Sequence, residues 1–297
     1  MRVEAAGLLR VAPPAVRVPF DDEAMRRWIE YRPRPGRPGV VLWQLGVEAR
    51  KAAHRLLATA LRPHAFAQAM AIVALEEVLD RAEGYRRGRH SADYWVVVFG
   101  DPVAGGRWGW RFEGHHLSVT MMLDGDTVYP TPVFLGANPL ATEYRGRSVL
   151  RPLAPEEDLG WGVLQAVPST VKQGWSATAP IDIHSGPRAD FIVPPPGVPA
   201  GELPDAARDR LDELVALYLE RLPEDIAPAV DRDRLSFVWQ GPQERGGRHY
   251  YRVQGPDLLI EYDNTADDGN HAHTVLRRPE SDFGGDVLRA HRAERPH

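Results

Sequence analysis

Cysteine is absent from the 297 residues, which excludes disulfides, thiolate metal ligands and a cysteine nucleophile in one step. No run reaches the roughly 20 consecutive apolar residues that a membrane helix requires, so no membrane partner is expected. The first residues do not read as a signal peptide either: Glu4 precedes a short apolar piece at Ala5–Leu9 and no long hydrophobic region follows, so a cytoplasmic location is expected. A basic excess is missing as well. The net charge of −5 and a pI near 6.1, with Arg interspersed among Asp and Glu, leave no electrostatic footprint for nucleic acid. Several catalytic signatures are lacking: there is no Gly-X-Ser-X-Gly, no Gly-X-X-X-X-Gly-Lys and no His-Glu-X-X-His. Any chemistry must therefore come from histidine and carboxylate.

What is present is a repeat. Val97–Gly100 followed by Gly105–Gly114 aligns without a gap on Val238–Gly241 followed by Gly246–Gly255, at a constant spacing of 141 positions. The register extends forward to Leu117 over Leu258 and Val119 over Ile260, and backward to Pro63 over Pro204. The shared unit reads as helix, strand, Gly-rich turn and long strand. Two helices are expected between Val47 and Ala82 with a break at Pro63, weak helix over Glu156–Lys172, and an amphipathic helix over Asp205–Leu222. Strands are expected at Tyr94–Phe99, Trp108–Met122, Pro130–Leu135, Leu235–Trp239 and Tyr250–Tyr262. The fold class is α+β: two duplicated helix and β-hairpin halves with antiparallel sheet around a pseudo-twofold axis. Its parts are an extended N-terminal arm (1–45), a first half (46–178), a proline-rich linker (179–203) and a second half (204–297).

The copies share their scaffold and differ in their chemistry. Arg107, Arg111, Arg248 and Arg252, with Trp108, Trp110, Tyr250 and Tyr251, recur and are expected to be structural. After the shared glycine the first copy has His115-His116 where the second has Pro256-Asp257. On a regular strand Glu113 and His115 share one face and His116 takes the other, so both histidines reach one ion only if Gly114 marks a bulge. His271 and His273, flanked by Asn270, are spaced as His-X-His, which puts both imidazoles on one strand face about 6.6 Å apart along it, a spacing suited to one metal ion. Pro130 and Pro132 occupy the matching positions of the first copy. The asymmetry favours one composite site over two. Downstream, Asp282 and Asp286 lie around a Phe-Gly turn with His291 beyond, as candidate supports for that site; Asp286 also reads as a helix cap and His291 as a surface residue.

These pieces resemble a bacterial and fungal family catalogued as domain of unknown function 3500. The resemblance is carried by Tyr94-Trp95 with Phe99-Gly100, Trp108 through Ser118, Phe134 through Pro139, Tyr250 through Pro256, Ile260 through Asn264, Asn270 through Val275, and Asp282 through His291. Arg292 stands where the resemblance implies a tyrosine. The family name implies no activity.

The expectation is thus a metal-dependent enzyme acting on a small organic molecule. His115 or His116 would join His271 and His273 as ligands, with Glu113 as a further ligand or general base, so that Glu113, His115 and His116 are the catalytic candidates. Fe(II) and oxidoreductase chemistry are favoured by a mixed histidine and carboxylate set in an aromatic scaffold; Zn(II) with hydrolysis, or Cu(II), fit the same residue types. The rival is a metal-free small-molecule or partner-binding protein whose histidines line a polar pocket or a homodimer contact.

Overall fold

A computed structural model describes residues 1–26, 36–184 and 192–285. Asp286 and His291 lie outside them. Five longer helices are labelled here: α1 Arg2–Val11, α2 Val47–Ala58, α3 Pro63–Ala82, α4 Ala154–Ala166 and α5 Asp205–Leu219. Eight strands carry the sheet: β1 Tyr94–Gly100, β2 Arg107–Gly114, β3 Leu117–Asp124, β4 Val133–Ala137, β5 Ser236–Gln240, β6 Tyr250–Gly255, β7 Leu258–Ala266 and β8 His271–Arg277. Their order is β1-β2-β3-β4-β8-β7-β6-β5, antiparallel at every step, and four short strands complete a 12-stranded mixed sheet. The fold is α+β, as expected.

Alternation along the strands sorts the two faces. Trp108, Trp110 and Phe112 on β2, Leu117, Val119 and Met121 on β3, and Tyr251 and Val253 on β6 all enter one continuous core with α2, α3, α4 and α5. Proline opens two of those helices: Pro63 is the first residue of α3, and Pro204 caps α5, because its fixed φ suits a helix start and no N–H is wasted there. The recurring Trp and Tyr residues are wholly buried, in keeping with a scaffold role.

The opposite face is buried yet polar. Arg111, Glu113, Ser118 and Thr120 line it in the first half, and Arg252, Gln254, Glu261 and Asp263 in the second, all nearly inaccessible. The short helical turn Glu23–Arg26 and an irregular stretch around residues 193–195 cover it and are held by guanidinium-to-carbonyl bonds. Arg111 donates to the carbonyls of Met25 and Arg26, and Arg252 to those of Val193 and Pro195. Such bonds satisfy both the buried cation and loop carbonyls that have no ladder partner.

Three sequence expectations change. The N-terminal arm is not extended throughout, since residues 2–11 form α1, whose Ala5 and Leu8 are fully buried against α2. The long strands expected at Trp108–Met122 and Tyr250–Tyr262 are each two strands, β2 and β3 in the first case and β6 and β7 in the second. Gly114 pairs with Leu117, so His115 and His116 are a two-residue turn and no bulge is needed at Gly114. Within the stretch read as a linker, Val193 meets the sheet, its carbonyl accepting from Arg252 and its N–H donating to Gln254.

Candidate metal centre

His271 and His273 lie on one face of β8, while Ala272 between them enters the core on the other. In the adjacent strand β4, Gly136 stands opposite His273, and on its other side the Gly136 N–H donates to the His116 carbonyl at 2.7 Å. Gly136 therefore sits between two histidines from either flank of its strand. A Cβ there would come within 2.9 Å of His116 Cδ2, so only the missing side chain lets the ring lie across that strand toward β8. His116 itself has a φ of +63°, the left-handed backbone that a tight turn imposes and that L residues adopt at some cost.

The result is a convergence of three imidazoles. His116 Nε2 lies 2.8 Å from His271 Nε2, and His271 Nε2 lies 3.0 Å from His273 Nε2. The other nitrogens of the β8 pair face carboxylates: His271 Nδ1 meets Asp267 Oδ2 at 2.9 Å, and His273 Nδ1 meets Asp182 Oδ1 at 2.8 Å. Asn138 donates to Asp267 at 3.1 Å. Asn270 fixes the neighbouring loop, with its side-chain oxygen accepting from the Ala141 N–H and its carbonyl from the Leu140 N–H. A carboxylate on Nδ1 selects the tautomer with the proton on that nitrogen and leaves the Nε2 lone pair pointing inward.

Burial pushes the His116 imidazole well below its ordinary pKa, and the neighbouring histidines add to the effect. His271 is pushed down to about 4, again by burial first and then by His273, against the opposing pull of Asp267. Both rings are thereby held neutral. With Asp267 on the Nδ1 of one ring and Asp182 on that of the other, the two Nε2 atoms face each other at 3.0 Å, close enough for both to bind one electrophile. Carboxylate-bound imidazole is the arrangement that orients metal-ligating histidines.

His115 has a different place. Its ring stacks on His116 with centroids 3.6 Å apart, and its Nδ1 lies 2.6 Å from Glu76 Oε1 on α3. Arg89 approaches the same ring nitrogen at 3.1 Å. Glu76, His115 and His116 form a second group of close ligand atoms, sharing His116 with the first, but the adjacent guanidinium makes it a poor seat for another cation. Glu113 is buried on β2 and ion-paired with Arg111 at 3.1 Å; the carboxylate brought to the histidines from the first half is that of Glu76. Asp282 pairs with Arg277 at 2.7 Å and accepts from the Arg278 N–H, which ties the segment after β8 to the sheet. Beside His115 opens a cavity of about 380 Å³, bordered by Glu76, Arg37, Arg87, Arg89 and Trp95.

Sequence reasoning missed Asp182, Asp267, Glu76, Asn138 and Gly136. Glu76 left a trace, since it falls on the apolar stripe of α3 with Ile72, Leu75 and Leu79, where an unpaired carboxylate would be costly. Asp267 lies four residues before His271, in a stretch that reads equally well as a solvated loop.

The model of a family described as protein of unknown function (DUF3500) matches residues 10–285. This chain belongs to the DUF3500 family. The match contains every member of the centre: His116 on the β2–β3 turn, His271 and His273 on β8, and the supporting Asp182 and Asp267. No curated protein and no solved structure matches the chain. Among the described residues, no helix is long and apolar enough to cross a membrane.

Proposed function

We propose that this DUF3500 protein is a metal-dependent enzyme with one site, in which His116 from the first half and His271 and His273 from the second hold a divalent ion. The carrying observation is the facing pair of Nε2 atoms, 3.0 Å apart on rings whose other nitrogens meet carboxylates. The donor set bears on the choice of metal. Iron follows from a mixed set that includes Glu113; with that carboxylate committed to Arg111, the convergent donors are three imidazoles. Three histidines with a further position open are the set by which zinc enzymes activate water, so zinc-dependent hydrolysis of a small organic molecule is the leading reading. Such an ion supplies Lewis acidity and a water acidic enough to react near neutral pH. The chain contributes the imidazole ligands, the Asp267 and Asp182 acceptors that orient them, and the covered sheet face behind them.

We also infer that the halves are copies related by a pseudo-twofold axis between β4 and β8. Support comes from register. Phe134 pairs with Val275, and these positions differ by the repeat spacing of 141. The flanking pairs Val133 with Leu276 and Leu135 with Thr274 exchange into one another under the same shift. The strand order reads outward alike on both sides, with β3, β2 and β1 answering β7, β6 and β5. A site assembled at such an axis from unlike side chains is single by construction.

Elemental analysis of untagged protein tests the proposal. One equivalent of zinc is expected, and none in the His271→Ala, His273→Ala double variant. One equivalent of iron would instead direct the reading to oxidation, and the absence of any stoichiometric metal from the parent removes the metal-dependent function.

A further inference from the structure

Behind the three-histidine centre lies a bonded group that the second half of the repeat lacks. Glu76 Oε1 is 2.6 Å from His115 Nδ1, and Arg89 Nη1 lies 3.1 Å from that same nitrogen and 4.0 Å from Glu76 Oε2. The side chains of Glu76, Arg89 and His115 are only 4%, 12% and 11% exposed. At the spacing of 141, their counterparts are Leu217, Val230 and Pro256. The second half nevertheless builds the same helix and three-stranded ladder, α5 with β5, β6 and β7. A buried ion pair also adds little to stability over aliphatic side chains of similar volume. The fold therefore does not account for the group. What sets the first half apart is His116, on whose ring His115 stacks with centroids 3.6 Å apart.

His116 needs such support. Its backbone is left-handed, with φ at +63°, and Gly136 leaves its ring room but no side chain to hold it. The stack on His115 supplies that hold. His115 is fixed in turn by Glu76 and by Arg89, whose Nε is anchored on Glu83 at 3.2 Å. We propose that Glu76 and Arg89 are positioning residues for the candidate centre: they lock the His115 ring, and the stacked His115 locks His116 with its Nε2 turned to that of His271, 2.8 Å away. The inference rests on the proposed function in one respect, that an ion is what the locked nitrogen binds. Contacts one step removed from a metal typically change its affinity by about 10- to 100-fold.

The Glu76→Leu, Arg89→Val double variant gives the first half the residues of the second. In the metal-free full-length protein it is expected to melt no lower than the parent by calorimetry. It should bind zinc more weakly by about tenfold or more in competition with a chromophoric chelator, and its visible spectrum with Co(II) in place of zinc should shift. His115→Phe keeps a ring on His116 and cuts the link to Glu76. It is expected to weaken zinc in the same way, and adding it to the double variant should cost nothing further, since all three residues act through one contact. Unchanged zinc affinity and an unchanged cobalt spectrum overturn the proposal. A double variant that melts lower without losing affinity, or that does not fold, assigns the group to the scaffold and overturns it as well. Metal content separates the two readings: a parent without stoichiometric metal overturns both, whereas a parent that binds zinc no tighter than the variants overturns this one alone.

Discussion

Among single residues, the surroundings of the three histidines matter to the candidate centre as much as the histidines themselves. Gly136 makes room, Asp267 and Asp182 choose the tautomers, and Asn138 steadies Asp267. Asp182 is the most informative of these, because it comes from a segment with no regular structure and reaches His273 across 91 positions. Asp182→Asn keeps the shape and removes the charge that favours an Nδ1–H. Metal affinity of this variant is expected to fall by about 10- to 100-fold, measured by competition with a chromophoric chelator. Unchanged affinity would remove Asp182 from the support of the centre.

Among the elements, the β2–β3 turn decides the geometry. Two adjacent residues on a strand point to opposite faces; on a two-residue turn they do not, and His115 and His116 stack on one another instead. The equivalent turn of the second half is Pro256-Asp257, between Gly255 and Leu258. That half keeps a different histidine at the opposite end of β6. His249 stacks on Trp239 at 4.1 Å, and its Nδ1 lies 2.8 Å from the Gly247 carbonyl. Burial lowers its pKa below 6.5. The unfolded chain therefore binds a proton there first, so the stabilising contribution of neutral His249 is complete above pH 6.5 and is lost as pH falls toward the folded value. His249→Phe keeps the stack and removes the titration. Urea unfolding at successive pH values should show a shallower loss of stability below pH 6.5 in the variant, by up to about 1.4 kcal/mol per pH unit. Parallel curves for variant and parent would exclude the effect.

Across the molecule, the candidate ligands are supplied from both halves of the repeat. His116 and His271 are 155 positions apart yet meet at 2.8 Å, because β4 and β8 pair at the middle of the sheet. An ion at the centre would bind the folded chain and not the unfolded one, and so would clamp one half to the other. Free zinc at about 100 times its dissociation constant adds ~2.7 kcal/mol to stability, which for a chain of this size is a rise in melting temperature on the order of 5 °C. Scanning calorimetry with and without zinc should show that rise in the parent and lose it in the His271→Ala, His273→Ala variant. The same rise in both proteins would place the ion elsewhere.

The chain's own order of residues dictates the α+β class, the helices opening near Pro63 and Asp205, the structural role of the repeated Trp and Tyr residues, and the candidacy of His115, His116, His271 and His273. Those features are local: apolar periodicity, proline at helix starts and a repeat spacing are all written along the chain. Which of the two adjacent histidines turns inward depends on Gly136, 20 positions beyond His116 and its neighbour only across the ladder. The carboxylates are set by packing alone. Glu113, next to the histidines in sequence, is bound to Arg111, whereas Asp182 and Glu76 come from a loop and a helix that only tertiary packing brings to the site. Nearness along a chain fixes a strand face; nearness in space requires the whole sheet to have formed.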